Sequence, residues 1–184
     1  MVMIVGLVGK IASGKGVVAD YLVREHGAKV FRFSDVLRDI LLRLNKQNTR
    51  ENLQALGVNL RKAFGDDVLA GVLRDEILKE TAGVVVVDGI RYWNEVEMVQ
   101  TFKGSLIVAI TAPVDVRYRR AASRATRGEE LVSLEQFKRN EENPTERLID
   151  EIAGAADIKI ENLGSKEELL QTLDTVLKNR IPSR

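Results

Sequence analysis

The stretch VMIVGLVGKIASGKGVV, residues 2–18, decides the fold. Residues 2–8 form an apolar β-type run, and after the glycines Val17, Val18, Tyr21 and Leu22 recur at helical spacing. The segment GKIASGKG, residues 9–16, therefore sits where a strand turns into a helix, the context of a phosphate-binding loop. Gly9 and Gly14 let the backbone wind so that successive N–H groups face an anion. The N-terminus of the next helix adds partial positive charge. Lys15 is placed to reach the β- and γ-phosphates of a nucleotide, and Ala12, Ser13, Gly16 and Val17 complete the expected nucleotide-contacting set. A glycine-rich turn that binds nothing is the competing reading; spacing, lysine and strand–turn–helix context together weigh against it.

Composition bounds the rest. A chain of 184 residues suits one domain with a sizeable core. Hydrophobic and charged contents of 45% and 30% are those of a globular protein. A formal net charge of +1 supplies no global attraction to nucleic acid or membrane. The absence of cysteine excludes disulfides and thiolate metal sites and is compatible with a cytoplasmic setting; the single His26 excludes a histidine cluster. His26 precedes Gly27, where a helix C-cap role is expected. The apolar start is expected to be a buried strand and not a signal peptide, and no apolar run is long enough to span a bilayer.

Beyond the loop, residues 28–33 (AKVFRF) alternate as a second strand, and Ser34 is placed to cap a helix running from Asp35. A helix is predicted over 50–64, with an interruption expected near Gly57, and another over 68–80. The four valines 84–87 ending in Asp88 read as a central parallel strand. A helix over 93–102, a strand over 106–111 and Pro113 opening a helix come next. Ser133 with Gln136 and Ser165 with Glu168 have capping-box spacing, and residues 157–161 read as the last strand. Strands alternating with helices imply a three-layer α/β sandwich on a five-stranded parallel sheet, with ligands at the strands' carboxyl ends. The phosphate loop, residues 34–38 and residues 88–91 each follow a strand, so they share one rim.

Several residues on that rim could carry chemistry. Asp88 stands where a carboxylate can hold a water on Mg²⁺ or contact Lys15; a turn or N-cap Asp is the bland alternative. Arg91 follows at the same mouth, and its fork suits phosphate oxygens. Arg117, Arg120, Arg124 and Arg127 recur at three- and four-residue steps and are expected on one helix face, with Arg119 adding a fifth charge nearby. Such a cluster repels itself unless phosphates or carboxylates are close. An RNA-binding patch is a competing use for it.

The GKG form of the loop resembles the adenylate-kinase family of nucleoside monophosphate kinases, whose loops hold Mg²⁺ largely through water. Here Gly16 replaces the usual Ser or Thr, and Val17 stands where those kinases carry Thr. Residues 34–38 (SDVLR) resemble the stretch in which their Arg binds the acceptor's phosphate, which implies Asp35 and Arg38 at the acceptor. Residues 50–61 (RENLQALGVNLR) and 88–91 (DGIR) resemble phage-type deoxynucleoside monophosphate kinases, which implies Arg50, Gln54 and Arg91 at the acceptor pocket. Arg61 shares that stretch; for it and Arg50 a solvated helix face is the alternative. The arginine helix resembles the lid of these kinases, implying Arg120 and Arg124 as catalytic with Lys15 and Asp88, and Glu129 and Glu130 as lid carboxylates. Residues 137–142 (FKRNEE) resemble archaeal-type adenylate-kinase-like proteins, which brings Arg139 into consideration. The resemblance runs from residue 2 to about 162.

It implies a core of residues 1–33, 83–116 and 154–184, an acceptor-binding helical region near 34–82, and a lid near 117–145. The expected activity is Mg²⁺-dependent phosphoryl transfer from ATP to a nucleoside or deoxynucleoside monophosphate. Three alternatives stay open: a dephospho-CoA kinase-like enzyme, an RNA-associated P-loop ATPase, and a non-catalytic nucleotide sensor motivated by Gly16 and Val17. Neither a membrane nor a nucleic-acid partner is expected.

Overall fold

β1 (Met3–Val8) is buried at every position, as a strand flanked by neighbours and covered on both faces must be. The computed structural model describes residues 2–125, 132–178 and 180, without the side chains of residues 124 and 125. After β1 come α1 (Lys15–His26), β2 (Lys29–Arg32), α2 (Phe33–Arg43), α3 (Arg50–Phe64), α4 (Val68–Ile77) and β3 (Val84–Ile90). Then follow α5 (Trp93–Gln100), β4 (Leu106–Thr111), α6 (Val114–Ala125), α7 (Leu134–Arg139) and two 3₁₀ turns (Asn140–Glu142, Pro144–Glu146). α8 (Ile149–Ala155), β5 (Ile158–Glu161) and α9 (Lys166–Leu177) complete the order.

The five strands pair in parallel in the order β2-β3-β1-β4-β5. Side chains of β1 and β3 alternate between two cores. Ile4, Val8, Val85 and Val87 face α4, α5 and α8 through Leu73, Val99 and Ile152. Val5, Leu7, Val84 and Val86 face α1 and α9 through Leu22 and Leu173. The predicted three-layer sandwich is the observed one. Each fully buried aliphatic side chain contributes about 1.5–3 kcal/mol. Gly6 is needed for close packing, since a Cβ there would lie 2.6 Å from Ile90 Cδ1 and 2.8 Å from Ile107 Cδ1.

Local departures from the sequence reading have physical causes. Ser34 does not cap α2: the helix begins at Phe33, with Arg32 in the cap position. Phe33 is 6% exposed, and burying it outweighs a cap worth about 0.5–2 kcal/mol. Ser34 Oγ instead accepts from Arg38 Nη1 at 2.9 Å. α3 runs through Gly57 unbroken, with Leu37 of α2 at ordinary contact distance from where a Cβ would stand. β3 continues past Asp88: Leu7 pairs with Asp88 and Val8 with Ile90, leaving Gly89 as a bulge residue at φ 90°. The bulge re-aims the strand end that carries Arg91. At the other caps, Ser133 Oγ accepts from the Gln136 N–H, Ser165 and Glu168 cap each other, and Gly27 ends α1 in the left-handed region after His26. No helix among the described residues is long and apolar enough to cross a membrane.

Candidate functional site

β1 delivers the phosphate loop to the carboxyl rim between β3 and β4. A Cβ on Gly9 would collide with the Ile110 carbonyl oxygen, so only glycine lets the loop close down on β4. Gly14 at φ 118° opens α1, and Ala12 takes φ 61°. The N–H groups of Lys15 and Gly16 open α1, ahead of those of Val17 and Val18, which donate to the Gly14 carbonyl. Lys15 arches back to donate to the carbonyls of Gly9 at 2.5 Å and Lys10 at 3.1 Å. Burial pushes its amine down from an ordinary 10.5 to about 8, with Asp88 opposing the drop. Ser13 is fully buried, and its hydroxyl has no hydrogen-bond partner among the described residues. A glycine cradle, an oriented amine and an orphaned hydroxyl fit a nucleotide's phosphates.

The loop opens on a cleft of about 830 Å³, lined by seven basic side chains and three acidic ones. That balance favours a polyanion. Asp88 lines it with its carboxylate 3.1 Å from Arg32 Nε, so a strand residue outside the expected site set already engages it. Gly16 and Val17 present no oxygen, and among the described residues no group of three or more metal-ligating side chains occurs. One carboxylate beside a phosphate cradle still suits Mg²⁺, which is usually bound by one or two carboxylates, substrate phosphates and water.

The arginine helix does not act as one face. Arg117 is 4% exposed and paired with Glu141, and its Nε donates to the Ala112 carbonyl at 2.8 Å. It braces the floor of the phosphate loop and is not free to close over a ligand. Lys10 adds to that brace, 2.6 Å from Asp150 and 3.4 Å from Glu141. Arg120 enters the cleft and donates to Asn162 Oδ1 at 3.1 Å and the Gly164 carbonyl at 3.0 Å. Asn162 in turn donates to the Ser13 carbonyl at 2.8 Å, which ties the end of β5 to the loop. Arg119 is exposed. Arg124 lies in the last turn of α6; Arg127, Glu129 and Glu130 lie outside the described residues. Arg139 is exposed at the end of α7 and lines neither the cleft nor the cavity that adjoins it.

A second cavity of about 240 Å³ adjoins the cleft and shares Ser34, Arg38, Arg50, Asp88, Gly89 and Arg91 with it. Arg38, Arg50 and Arg91 stand there with side chains 40–42% exposed. Arg38 pairs with Asp35, which itself lines neither cavity. Gln54 accepts from Asn143 Nδ2 at 3.2 Å. Arg61 is mostly covered, its side chain 12% exposed, contrary to a solvated helix face: it lies 2.9 Å from Glu95 and stacks over Tyr92 at 4.2 Å. Burial pushes the Glu95 carboxyl up, while the Arg91 N–H at 2.8 Å and the Arg61 guanidinium oppose the rise.

Thus Lys15, Asp88, Arg38, Arg50, Arg91 and Arg120 share one cleft, with Gln54 in the adjoining cavity. Sequence reasoning missed Asn162 and Glu146. Asn162 could have been found by extending the rim rule to the end of the last strand. Glu146 follows an Asn-Pro turn signal and shows nothing more by itself.

A family model described as an AAA domain matches residues 8–138. A UPF0200/UPF0201 protein of Archaeoglobus fulgidus is 34% identical over 180 residues, covering 95% of this chain and 54% of the relative, so the chain spans about half of that protein. A UPF0200 protein of Methanosarcina acetivorans is 30% identical over 185 residues, covering 100% and 98%. Among solved structures, TT1252 from Thermus thermophilus superposes with a TM-score of 0.63 at 22% identity, over 98% and 99% of the two chains. Shikimate kinase from Acinetobacter baumannii gives 0.57 at 17%, over 99% and 97%. These identities carry the P-loop kinase-like fold alone.

Proposed function

The chain belongs to this AAA domain family and groups with the UPF0200 proteins, and from that premise we propose that it transfers a phosphoryl group from ATP to a nucleoside or deoxynucleoside monophosphate. The observation that carries the reading is that Arg38, Arg50 and Arg91 line both the cleft that holds Lys15 and the cavity adjoining it. A monophosphate acceptor is already anionic and needs cations more than a general base. Asp35, the carboxylate of the acceptor-binding stretch, is committed to Arg38 and lines neither cavity.

Phosphoryl transfer is mostly positioning and charge stabilisation. In this reading the phosphate loop's amides cradle the donor phosphates, and Lys15 exchanges its two carbonyl partners for phosphate oxygens. Arg120 and Arg124 spread over the charge in transit, while Arg38, Arg50 and Arg91 fix the acceptor phosphate. Asp88 would hold a water on Mg²⁺, which supplies charge neutralisation on the donor phosphates. Residues 34–82 then form the acceptor-binding region and 117–145 the lid of one kinase domain acting in the cytoplasm. The test is a coupled ADP-release screen of all ribo- and deoxyribonucleoside monophosphates, with dephospho-CoA and shikimate as hydroxyl acceptors. Turnover with a hydroxyl acceptor and with no monophosphate would refute the assignment.

A further inference from the structure

Glu146 has no task in the transfer just described, yet it is a buried acid at the acceptor end, second there only to Glu95 in enclosure. It is 5% exposed although it lines the open cleft. Its carboxylate pairs with Arg91 Nη1, and Arg50 Nη2 stands 3.7 Å away. The two arginines come from separate places, Arg91 from beyond the β3 bulge and Arg50 from the first residue of α3. Two guanidinium groups brought together repel, and a carboxylate between them removes that cost.

Two roles can be told apart by what holds Glu146. A carboxylate that merely occupied the phosphate's place would have to leave when substrate arrived. Glu146 closes a 3₁₀ turn begun by Pro144, its N–H donates to the Asn143 carbonyl at 2.8 Å, and Thr145 beside it is buried as well. Proline stiffens that turn, and Asn143 is anchored to α3 through Gln54. The carboxylate is a fixed strut. It engages Nη1 of Arg91, while a guanidinium carries five N–H donors and this side chain stays 42% exposed. Donors therefore remain for an incoming anion.

We propose that Glu146 is a positioning residue that holds Arg91 and Arg50 as a paired clamp for the acceptor's phosphate, touching no reacting atom itself. The acceptor's identity here rests on the monophosphate reading above.

The test combines Glu146→Gln with Arg91→Ala. With the best acceptor from the screen, Glu146→Gln raises the acceptor KM about tenfold and leaves kcat and the KM for ATP within about twofold. In the Arg91→Ala background it adds clearly less than about tenfold, because only its hold on Arg50 remains. An unchanged acceptor KM, a lowered one as a displaced plug would give, a loss confined to kcat, or additive losses in the double variant each overturn the proposal. If Glu146→Gln does not fold, Glu146→Asp keeps the charge with a shorter reach and should raise the same KM less. A second measurement needs no turnover. With the nucleotide end saturated by AMP-PNP, inorganic phosphate is titrated and the fluorescence of Trp93 is followed, the chain's single tryptophan and two residues from Arg91. Phosphate binding about tenfold weaker in Glu146→Gln supports the clamp; equal affinity, or no response in the wild type, overturns it. A normal phosphate titration beside a protein that turns over no monophosphate would sink the kinase reading and leave the clamp standing.

Discussion

The two ends of the cleft are made of different material. The nucleotide end is backbone: two glycines in the left-handed region, the first turn of α1, and carbonyls that hold Lys15. The end proposed for the acceptor is side chain: Arg38, Arg50, Arg91 and Glu146 come from four separate segments and are held by ion pairs. A backbone cradle tolerates little change and binds what every nucleotide shares. A side-chain clamp can be re-aimed by single substitutions. On the kinase reading proposed above, such an architecture lets the acceptor change while the donor stays the same.

The largest expected effect tests the first half of that contrast. Lys15→Ala should lower turnover about a thousandfold or more, because its amine acts on charge that develops in transfer. Its melting temperature should be no lower than the wild type's, since the buried amine serves two loop carbonyls and its burial in charged form opposes folding at neutral pH. Full turnover in a folded variant would break the comparison at its nucleotide end.

Next in size is a loss of stability. Glu95→Ala leaves Arg61 buried without its carboxylate and should cost about 3–5 kcal/mol in chemical denaturation. An unchanged midpoint would mean that the acceptor end does not depend on its ion pairs. Arg38→Ala should follow, raising the acceptor KM by the equivalent of about 1.5–3 kcal/mol with little change in the KM for ATP. Equal changes in both constants would erase the division between the ends.

A smaller effect is set by pH. In the nucleotide-free protein the Lys15 amine loses its proton near pH 8, below an ordinary 10.5, and bound phosphates should raise that value again. Binding then takes up a proton above about pH 8, and ATP affinity should fall by up to about tenfold per pH unit there. Calorimetry in buffers of different ionisation enthalpy reads the uptake. For the free fold the sign is opposite: the unfolded chain holds this proton longer, so stability gains between pH 8 and 10.5, and Lys15→Ala removes that gain. Smallest of all, Asp35→Asn should change kcat less than about threefold. A general base there would show a loss of roughly a hundred- to ten-thousandfold.

The same division explains what could be read beforehand. A loop built from consecutive backbone units leaves a consecutive signature, so Gly9, Gly14 and Lys15 stand out in sequence. The valines 84–87 gave away an interior strand, next to the central β1, because burial on both faces demands them. Arg117 reads like Arg120, since helical spacing says which residues share a side but not that Glu141 waits 24 positions on. Arg61 reads as a surface residue until α5 brings Glu95 beneath it. Glu146 belongs to a turn whose partners lie 55 and 96 residues away in sequence, and no local pattern records such pairings.

The bulge at Gly89 has a consequence for how such a protein can vary by descent. Asp88 and Arg91 both line the cleft, the second proposed to face the acceptor, and between them stand only Gly89 and Ile90, the latter 1% exposed and locked against Gly6. One strand end thus works as a caliper whose jaws are set by covalent spacing. Insertions can accumulate in the exposed turn around residues 45–48, and lineages can exchange side chains along α2 and α3. A residue gained or lost between 88 and 91 would shift both jaws at once, so lengths there should stay fixed while the faces around them drift.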